Sequence, residues 1–255
     1  MQSYLDVAVN AAKQAGEILR QGSLRSLNSD ADAANSHDIK LHADVESERL
    51  IRSILQAQTG LPVVGEELGG DPSLTTQDCL YWVVDPLDGT HNYLRQVPIC
   101  GVSIGLMRAM EPVLGVFYDF NCDECFTSIV EEQCICLNGR RITPQWAKSI
   151  DQASLHTGFP VAMDYSSEGL QRFIGKVQRF KKVRAIGSAS AALAWVACGR
   201  FDAYYEEGSR LWDIAAGIAL IKGAGGYIRM TPSPLGKPLA YDVWGTACEG
   251  FAIDS

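Results

Sequence analysis

Four acidic clusters in the sequence carry side chains suited to metal-dependent chemistry. They are Gly65-Glu66-Glu67, Asp85-Pro86-Leu87-Asp88-Gly89-Thr90, Trp212-Asp213, and Asp44. The first two follow apolar runs, so their carboxylates are expected at the edge of a hydrophobic core, where unpaired charges are costly. Several carboxylates in one place repel each other unless cations neutralise them. Because all of these donors are oxygen atoms, Mg²⁺, Mn²⁺ or Ca²⁺ is favoured over Zn²⁺.

The segment from Asp85 to Asp88 has the composition of a tight turn that gathers ligands. Pro86 restricts the backbone between the two carboxylates, so both side chains and the Leu87 carbonyl can point to one place. Glu66 and Asp213 can complete the same cage. Ligands this far apart in the chain do not form a single calcium-binding loop. They indicate a catalytic site, in which Mg²⁺ keeps waters and binds substrate phosphate.

Each cluster also has an ordinary structural interpretation when it is taken alone. Asp-Pro and Asp-Gly are common turn dipeptides, and Glu66-Glu67 suits a solvated loop. Asp44 and Asp213 are expected to open helices, where the helix dipole favours an acidic residue. The combination of all four clusters favours the metal site.

Gly89 and Thr90, the last two residues of the second acidic cluster, suggest a phosphate site. If a helix begins near Thr90, its free backbone N–H groups face the metal ligands and can bind an anion. Gly89 lets a phosphate approach the backbone closely, and the Thr90 hydroxyl can position a water molecule.

Hydrophobic periodicity predicts the elements that position these residues. An amphipathic helix over Met1–Arg20, a loop over Ser23–Asp38 and a second helix over Asp44–Gln56 come first. Two core strands that each end in acidic residues follow, Leu61–Gly65 and Leu80–Asp85. The closely spaced strands after them indicate an antiparallel meander; they are Val102–Met107, Val113–Phe120, Cys125–Val130 and Cys134–Leu137.

After residue 140 the pattern changes to an alternation of strands and helices, which indicates a more parallel sheet. The expected strands are Leu155–Phe159, Val183–Ile186 and Asp202–Glu206, and the expected helices are Ser166–Arg179, Ser188–Cys198 and Trp212–Lys222. We expect one compact α+β unit with two lobes. Residues 1–140 would form an α+β lobe that carries most metal ligands, and residues 141–255 an α/β lobe with the last ligand and the substrate contacts.

Composition and charge narrow the classes of partner. The 255-residue chain has a net charge of −8, and no Lys/Arg run is expected to offset it, which disfavours nucleic acid as the main partner. No apolar run approaches the roughly 18 residues that a membrane-spanning helix needs, so no membrane association is expected. Because no export signal is evident, a cytoplasmic location with reduced cysteines is expected.

The cysteines allow a second, weaker hypothesis. Cys122 and Cys125 have a zinc-like spacing, and Cys134 and Cys136 follow closely. However, residues 121–124 have the composition of a hairpin turn, so incidental thiols are favoured over a zinc site or a redox pair. The chain also lacks a Gly-x-Ser-x-Gly elbow and a Walker loop, so serine hydrolase and P-loop chemistry have no support.

The motifs together resemble the inositol monophosphatase family of the lithium-sensitive, Mg²⁺-dependent phosphatase superfamily. The matching segments are Gly65-Glu66-Glu67, the run from Trp82 to Tyr93, Trp212-Asp213-Ile214-Ala215-Ala216-Gly217 followed by Gly225-Gly226, Asn138-Gly139-Arg140, His156-Thr157-Gly158-Phe159-Pro160 and Asp202-Ala203-Tyr204-Tyr205-Glu206. The resemblance implies a layered αβαβα sandwich, with an antiparallel sheet in the first half and a mixed, more parallel sheet in the second. It also implies a homodimer.

The resemblance further implies hydrolysis of a small phosphate monoester, such as inositol monophosphate, by a metal-activated water. Two or three Mg²⁺ ions, with Mn²⁺ as an alternative, would be held by Glu66, Asp85, the Leu87 carbonyl, Asp88 and Asp213. Thr90, supported by Asp44 and with Glu66 nearby, would activate the water. The substrate contacts would be Gly89, Thr90, Gly187, Ser188, Ala189 and Glu206.

Several related functions stay open at this point. 3′-Phosphoadenosine 5′-phosphate, fructose 1,6-bisphosphate and histidinol phosphate are alternative substrates. A non-catalytic protein that binds metal or sugar phosphate is the alternative from another class, although retention of the acidic ligands and Thr90 disfavours it.

Overall fold

The computed structural model describes residues 1–27, 33–159, 163–234 and 238–252, with the backbone alone for 23–27 and 33–41. Its α-helices are α1 (Gln2–Leu27), α2 (Ala33–Thr59), α3 (Thr90–Leu94), α4 (Ser167–Val177), α5 (Ala189–Ala197) and α6 (Leu211–Gly223). The strands are β1 (Val63–Gly65), β2 (Leu80–Asp88), β3 (Gly101–Arg108), β4 (Glu111–Asp119), β5 (Glu124–Ile129), β6 (Cys134–Leu137), β7 (Arg140–Ile142), β8 (Ser154–Thr157), β9 (Lys182–Arg184), β10 (Ala203–Arg210), β11 (Tyr227–Pro232) and β12 (Ala240–Thr246).

The first sheet contains seven strands in chain order, from β1 to β7. β1 pairs with β2 in parallel, and every following pair in this sheet is antiparallel. Strands that follow each other closely in sequence can pair through short turns, which is the basis of the predicted meander. The antiparallel sheet expected in the first half is confirmed.

The second sheet has the strand order β11-β12-β10-β8-β9 and is mixed. β8 is parallel to both β9 and β10, as the alternation of strands and helices predicts. β12 is antiparallel to both β10 and β11. β11 and β12 are absent from the sequence prediction, and so is β7 in the first sheet. β7 is largely exposed and β11 is only partly buried, so neither shows the apolar run of a core strand.

Helices cover both faces of each sheet, which gives the expected αβαβα layers. The buried alanines of α1 pack with α2 against one face of the first sheet. α5 and α6 fill the space between the two sheets, and their side chains are apolar on almost every side. A helix that is apolar all round is expected where both flanks are buried. α4 covers the outer face of the second sheet.

The predicted loop over Ser23–Asp38 is wrong for most of its length. α1 continues to Leu27 and α2 begins at Ala33, while residues 28–32 lie outside the described residues. Asp44 therefore lies inside α2 and does not open it, and its side chain is buried. Ser, Asn and Asp have low helix propensity, but propensity is a weak preference that packing of the neighbouring turns can override.

One basic segment contradicts the expectation that no Lys/Arg run offsets the acidic charge. Arg179, Lys181, Lys182 and Arg184 are all exposed at or beside β9, the edge strand of the second sheet. The exclusion of nucleic acid as a partner therefore stays a prediction from net charge alone. No helix in the described parts of the chain has both the length and the apolar character that crossing a bilayer requires.

His156 on β8 makes stability sensitive to acid. Its ring is fully buried against Phe201, with the two ring centroids 3.9 Å apart. Burial, with a smaller contribution from Arg184, lowers the pKa of His156 from 6.5 to about 4. Because the folded-state pKa lies below the unfolded value, protonation favours the unfolded chain. The stability that the fold gains from holding His156 neutral is complete above pH 6.5 and is lost as the pH falls towards 4.

We expect His156→Phe to remove this acid sensitivity. Between pH 7 and pH 4, the free energy of unfolding of the wild type should fall relative to that of the variant by roughly 2–3 kcal/mol. Urea unfolding at several pH values measures this difference. His91→Asn, at an exposed histidine, is the control. A wild-type minus His156→Phe difference that does not vary with pH would contradict the prediction.

Candidate active site

The end of β2 forms the turn that the sequence predicts between Asp85 and Asp88. The pairing of β2 with β3 shifts register here, since Asp85 lies opposite Ser103 and Asp88 lies opposite Gly101. The extra residue is a bulge, a feature that re-aims side chains near functional sites. The Asp85 carboxylate accepts a hydrogen bond from the Leu87 N–H at 2.9 Å. This hydrogen bond closes the turn, and the side chains of Asp85 and Asp88 are both buried.

Asp88 is held by the beginning of α5. Its Oδ2 accepts hydrogen bonds from the Ser188 hydroxyl and from the Ser190 N–H, the latter at 2.7 Å. The Ser190 hydroxyl donates to the backbone carbonyl of Asp213 at 2.8 Å. The Asp213 carboxylate in turn accepts the Arg210 N–H at 3.0 Å, at the start of α6. The first turns of α5 and α6 therefore bring Asp213 to Asp88.

Asp85, Asp88 and Asp213 meet at one point. Each offers a carboxylate oxygen, and the three oxygens lie within 4.8 Å of one another. Burial raises the pKa of Asp85 well above its usual range, and the charges of Glu66, Asp88 and Asp213 raise it further. Burial likewise raises the pKa of Asp88 and, together with Asp88 and Glu66, that of Asp213. The protein thus holds acidic groups together against their mutual repulsion, which suits a site for divalent cations.

The expected ligands and phosphate contacts line one cleft of about 190 Å³. Its wall is formed by Glu66, Asp85, Leu87, Asp88, Gly89, Thr90, Gly187 and Asp213. Gly89 has a left-handed backbone with φ of 86°, and α3 begins directly after it, as the sequence predicts. The Thr90 hydroxyl donates to the Leu87 carbonyl at 2.9 Å, so it lies beside the acidic cluster.

Asp44, expected to support Thr90, is buried on α2 and is not among the residues that form the wall of the cleft. Burial raises the pKa of the Cys100 thiol to about 12, with added contributions from Asp119, Asp88 and Asp44. Cys100 packs directly beneath Gly89, where a Cβ would lie 3.0 Å from the Cys100 Cβ. The charges of Asp44 and Asp88 thus both act on the thiol that lies beneath Gly89.

The residues expected to contact the alcohol part of a substrate line a second, adjoining pocket of about 240 Å³. Gly187, Ser188, Ala189 and Glu206 all belong to it, and it shares Asp88, Gly187 and Asp213 with the first cleft. Burial raises the pKa of Glu206 to about 7, while the hydrogen bond from the Tyr204 hydroxyl, at 3.1 Å, opposes this shift.

Two positioning residues were missed by the sequence analysis. Asn92 on α3 donates from Nδ2 to the carbonyls of Ile99 at 2.8 Å and Ile186 at 2.7 Å, which connects the helix that follows Gly89 to the segment before Gly187. Ser190 links Asp88 to Asp213 as described above. Both bonds join residues that are far apart in the chain, so no local sequence signal indicates them.

The second hypothesis from the sequence is a zinc site or redox pair formed by Cys122, Cys125, Cys134 and Cys136. Among the described residues, the aspartate cluster is the one group of three or more side chains placed to hold a metal ion. Cys122 is exposed, Cys125 is buried, and Cys134 and Cys136 are partly buried on β6. The preference for incidental thiols over a zinc site stays a prediction.

Comparison with known proteins agrees with this architecture. The model of the inositol monophosphatase family matches residues 1–250. A protein named Nus factor SuhB from Xylella fastidiosa is 35% identical over 230 residues, which cover 88% of this chain and 80% of the relative. Inositol monophosphatase 2 from Solanum lycopersicum is 36% identical over 239 residues, covering 89% and 87%. The solved structure of inositol monophosphatase from Anabaena (Nostoc) sp. PCC 7120 has a TM-score of 0.80 at 30% identity and covers 98% of this chain and 92% of that one. The chain belongs to the inositol monophosphatase family.

Proposed function

We propose that the protein is a Mg²⁺-dependent phosphatase that hydrolyses a small phosphate monoester such as inositol monophosphate. Membership of the family supports a phosphatase of this superfamily. The observation that carries the proposal is the meeting of Asp85, Asp88 and Asp213 beside the left-handed Gly89, directly before the first residue of α3. Acidic ligands and an anion-binding backbone in one cleft suit a phosphate that is bound through cations.

The donor set fits magnesium. Glu66, Asp85, the Leu87 carbonyl, Asp88 and Asp213 offer oxygen atoms alone, which suit hard divalent ions. We propose that they hold two or three Mg²⁺ ions, with Mn²⁺ as a substitute. When bound, such ions neutralise phosphate charge and lower the pKa of water towards neutrality.

The remaining steps belong to the chain's own side chains. Gly89 and Thr90 would bind the phosphate through backbone N–H groups, and the Thr90 hydroxyl, with Asp44 and Glu66, would position and deprotonate the attacking water. Gly187, Ser188, Ala189 and Glu206 would contact the alcohol. Phosphoryl transfer depends mainly on such positioning and charge stabilisation, so few covalent steps are required of the protein.

A substrate panel tests the proposal. Purified protein is assayed for phosphate release from inositol monophosphate, 3′-phosphoadenosine 5′-phosphate, fructose 1,6-bisphosphate and histidinol phosphate, with Mg²⁺, Mn²⁺ or a chelator. We expect metal-dependent turnover of at least one monoester, with inositol monophosphate preferred. Binding of these compounds without turnover would instead support a non-catalytic metal or sugar-phosphate binding protein.

Glu206→Gln is expected to weaken substrate binding more than turnover. The carboxylate lies in the pocket proposed for the alcohol and is held by the Tyr204 hydroxyl. A carboxylate accepts substrate hydroxyls in charge-assisted bonds that a neutral amide replaces only in part. We expect KM to rise roughly tenfold with kcat little changed, as measured by steady-state kinetics at saturating Mg²⁺ and at a pH well above the Glu206 pKa of about 7, where the wild-type side chain is ionised. An unchanged KM with a large fall in kcat would contradict this role.

We also propose that the protein forms a homodimer in the cytoplasm. Support for self-association comes from exposed apolar side chains on and around α4 and β9, namely Phe159, Tyr165, Leu170, Ile174 and Val183. Light scattering after size-exclusion chromatography tests the dimer, and a monomer at micromolar concentration would contradict it.

A further inference from the structure

A buried ion pair on α2 lies directly behind the turn that carries Glu66. Glu48 and Arg52 are one helical turn apart, and Glu48 Oε1 lies 2.7 Å from Arg52 Nε. The side chain of Glu48 is fully buried, and that of Arg52 is 16% exposed. Neither side chain belongs to the cleft wall, so the pair serves something other than direct contact with a ligand.

The Glu48 carboxylate organises the backbone that follows Glu66. It accepts hydrogen bonds from the N–H groups of Glu67 at 2.7 Å and Leu68 at 3.2 Å. Hydrogen bonds to an ionised acceptor are about twice as strong as neutral ones. The N–H of Glu66 itself donates to the Val84 carbonyl at 3.2 Å, one residue before Asp85. The backbone of Glu66 is therefore fixed between α2 and β2, the strand that carries Asp85 and Asp88.

Arg52 donates hydrogen bonds to the backbone on both sides of the same turn. Its Nη1 donates to the Val63 carbonyl at 3.0 Å, and its Nη2 donates to the Gly69 carbonyl. The Gly65 N–H also donates to the Gly69 carbonyl, at 2.9 Å. The guanidinium charge balances Glu48, which would otherwise be an unpaired charge in the protein interior.

Gly65 provides the space that this arrangement needs. A Cβ at residue 65 would lie 2.1 Å from Glu48 Oε1 and 2.6 Å from its Cδ. Any side chain here would push the carboxylate away from the N–H groups of Glu67 and Leu68. The motif Gly65-Glu66-Glu67 thus combines an expected metal ligand with room for the group that orients it.

We propose that Glu48, balanced by Arg52, is a positioning residue that holds the Glu66 carboxylate in place for divalent metal binding. The inference rests on the proposed role of Glu66 as a metal ligand. Loss of a group that orients a metal ligand typically lowers metal affinity or activity by about 10- to 100-fold.

Glu48→Gln tests this role because it keeps the size of the side chain and removes its charge. We expect the dissociation constant for Mn²⁺, measured by electron paramagnetic resonance without substrate, to rise roughly tenfold or more. Hydrogen exchange at the amides of Glu67 and Leu68 should accelerate. In the phosphatase assay, the Mg²⁺ concentration for half-maximal activity should change more than kcat at saturating Mg²⁺.

Two further variants make the test specific. Glu46→Gln removes a carboxylate from the same helix that is 56% exposed and paired with His42, and it should leave Mn²⁺ binding and amide exchange unchanged. Gly65→Ala should reproduce the loss of Mn²⁺ affinity. In a protein that already carries Glu48→Ala, Gly65→Ala should lower the Mn²⁺ affinity little further, because the space next to residue 65 is then free.

The outcomes separate this inference from the proposed function. A folded Glu48→Gln protein with wild-type Mn²⁺ affinity and wild-type exchange at Glu67 and Leu68 would overturn the positioning role. If Glu48→Gln does not fold, Gly65→Ala tests the same contact by displacing the Glu48 carboxylate, and wild-type Mn²⁺ affinity in that variant would overturn the positioning role equally. A wild type that binds Mn²⁺ through this turn but hydrolyses no phosphate monoester would contradict the proposed function and leave the positioning role intact.

Discussion

Asp88→Asn is expected to lower Mg²⁺-dependent turnover by about a thousandfold or more while the fold is retained. The carboxylate of Asp88 is already oriented by Ser188 and Ser190, and asparagine can keep one acceptor oxygen for these donors. What the variant loses is the charge that faces Asp85 and Asp213. Steady-state phosphate release with Mg²⁺ measures the effect, and circular dichroism checks the fold.

The same variant should have a distinctive stability. Because burial disfavours the ionised forms of Asp85, Asp88 and Asp213, and the charge of Asp88 raises the pKa of the other two further, removal of this charge should not lower the Tm of the metal-free protein. The rise in Tm on addition of Mg²⁺ should shrink. Asp78→Asn, at a carboxylate that is 86% exposed, is the control and should change neither quantity. Wild-type activity in Asp88→Asn would exclude Asp88 as a metal ligand.

The first sheet and the acidic site were predictable because their determinants are local. Each strand from β3 to β6 is a short, largely apolar run bounded by turn residues, and neighbours in sequence are neighbours in the sheet. Asp85, Asp88 and Asp213 directly precede or follow apolar segments, so the edge of the core fixes where their carboxylates emerge. Carboxylates that emerge in one place repel each other unless a cation neutralises them. A metal site is therefore favoured over the interpretation of each aspartate as an isolated turn or helix-cap residue.

The determinants that the sequence analysis missed are not local. α2 begins at Ala33 although Asn35, Ser36 and Asp38 have low helix propensity, which is only a weak preference, so Asp44 lies at a buried interior position and not at a helix start. Glu48 and Arg52 have the same spacing as any exposed ion pair on a helix. Only the approach of the Gly65–Gly69 turn makes this pair buried and specific. The roles of Asn92 and Ser190 likewise depend on contacts between distant segments.

Gly89→Ala is the second substitution from which a large effect is expected. Gly89 has φ of 86°, a conformation that residues with a Cβ rarely adopt, and a Cβ here would lie 2.7 Å from the Ile99 carbonyl oxygen and 3.1 Å from the Cys100 Cα. Both obstacles are backbone atoms, so the turn itself must move. A displacement of about 1 Å in a catalytic arrangement can lower turnover by roughly a hundredfold. We expect a loss of that size in kcat/KM, together with a destabilisation of about 1–3 kcal/mol.

Gly139→Ala separates the backbone cost from the displacement of the phosphate turn. Gly139 has a similar φ of 74°, but a Cβ there would meet nothing within 4 Å, in the hairpin between β6 and β7. This variant should lose roughly 1 kcal/mol of stability from the left-handed conformation alone and keep full activity. Steady-state kinetics and urea unfolding of both variants make the comparison. If Gly89→Ala matched Gly139→Ala in both measurements, close packing beneath Gly89 would have no part in forming the phosphate site.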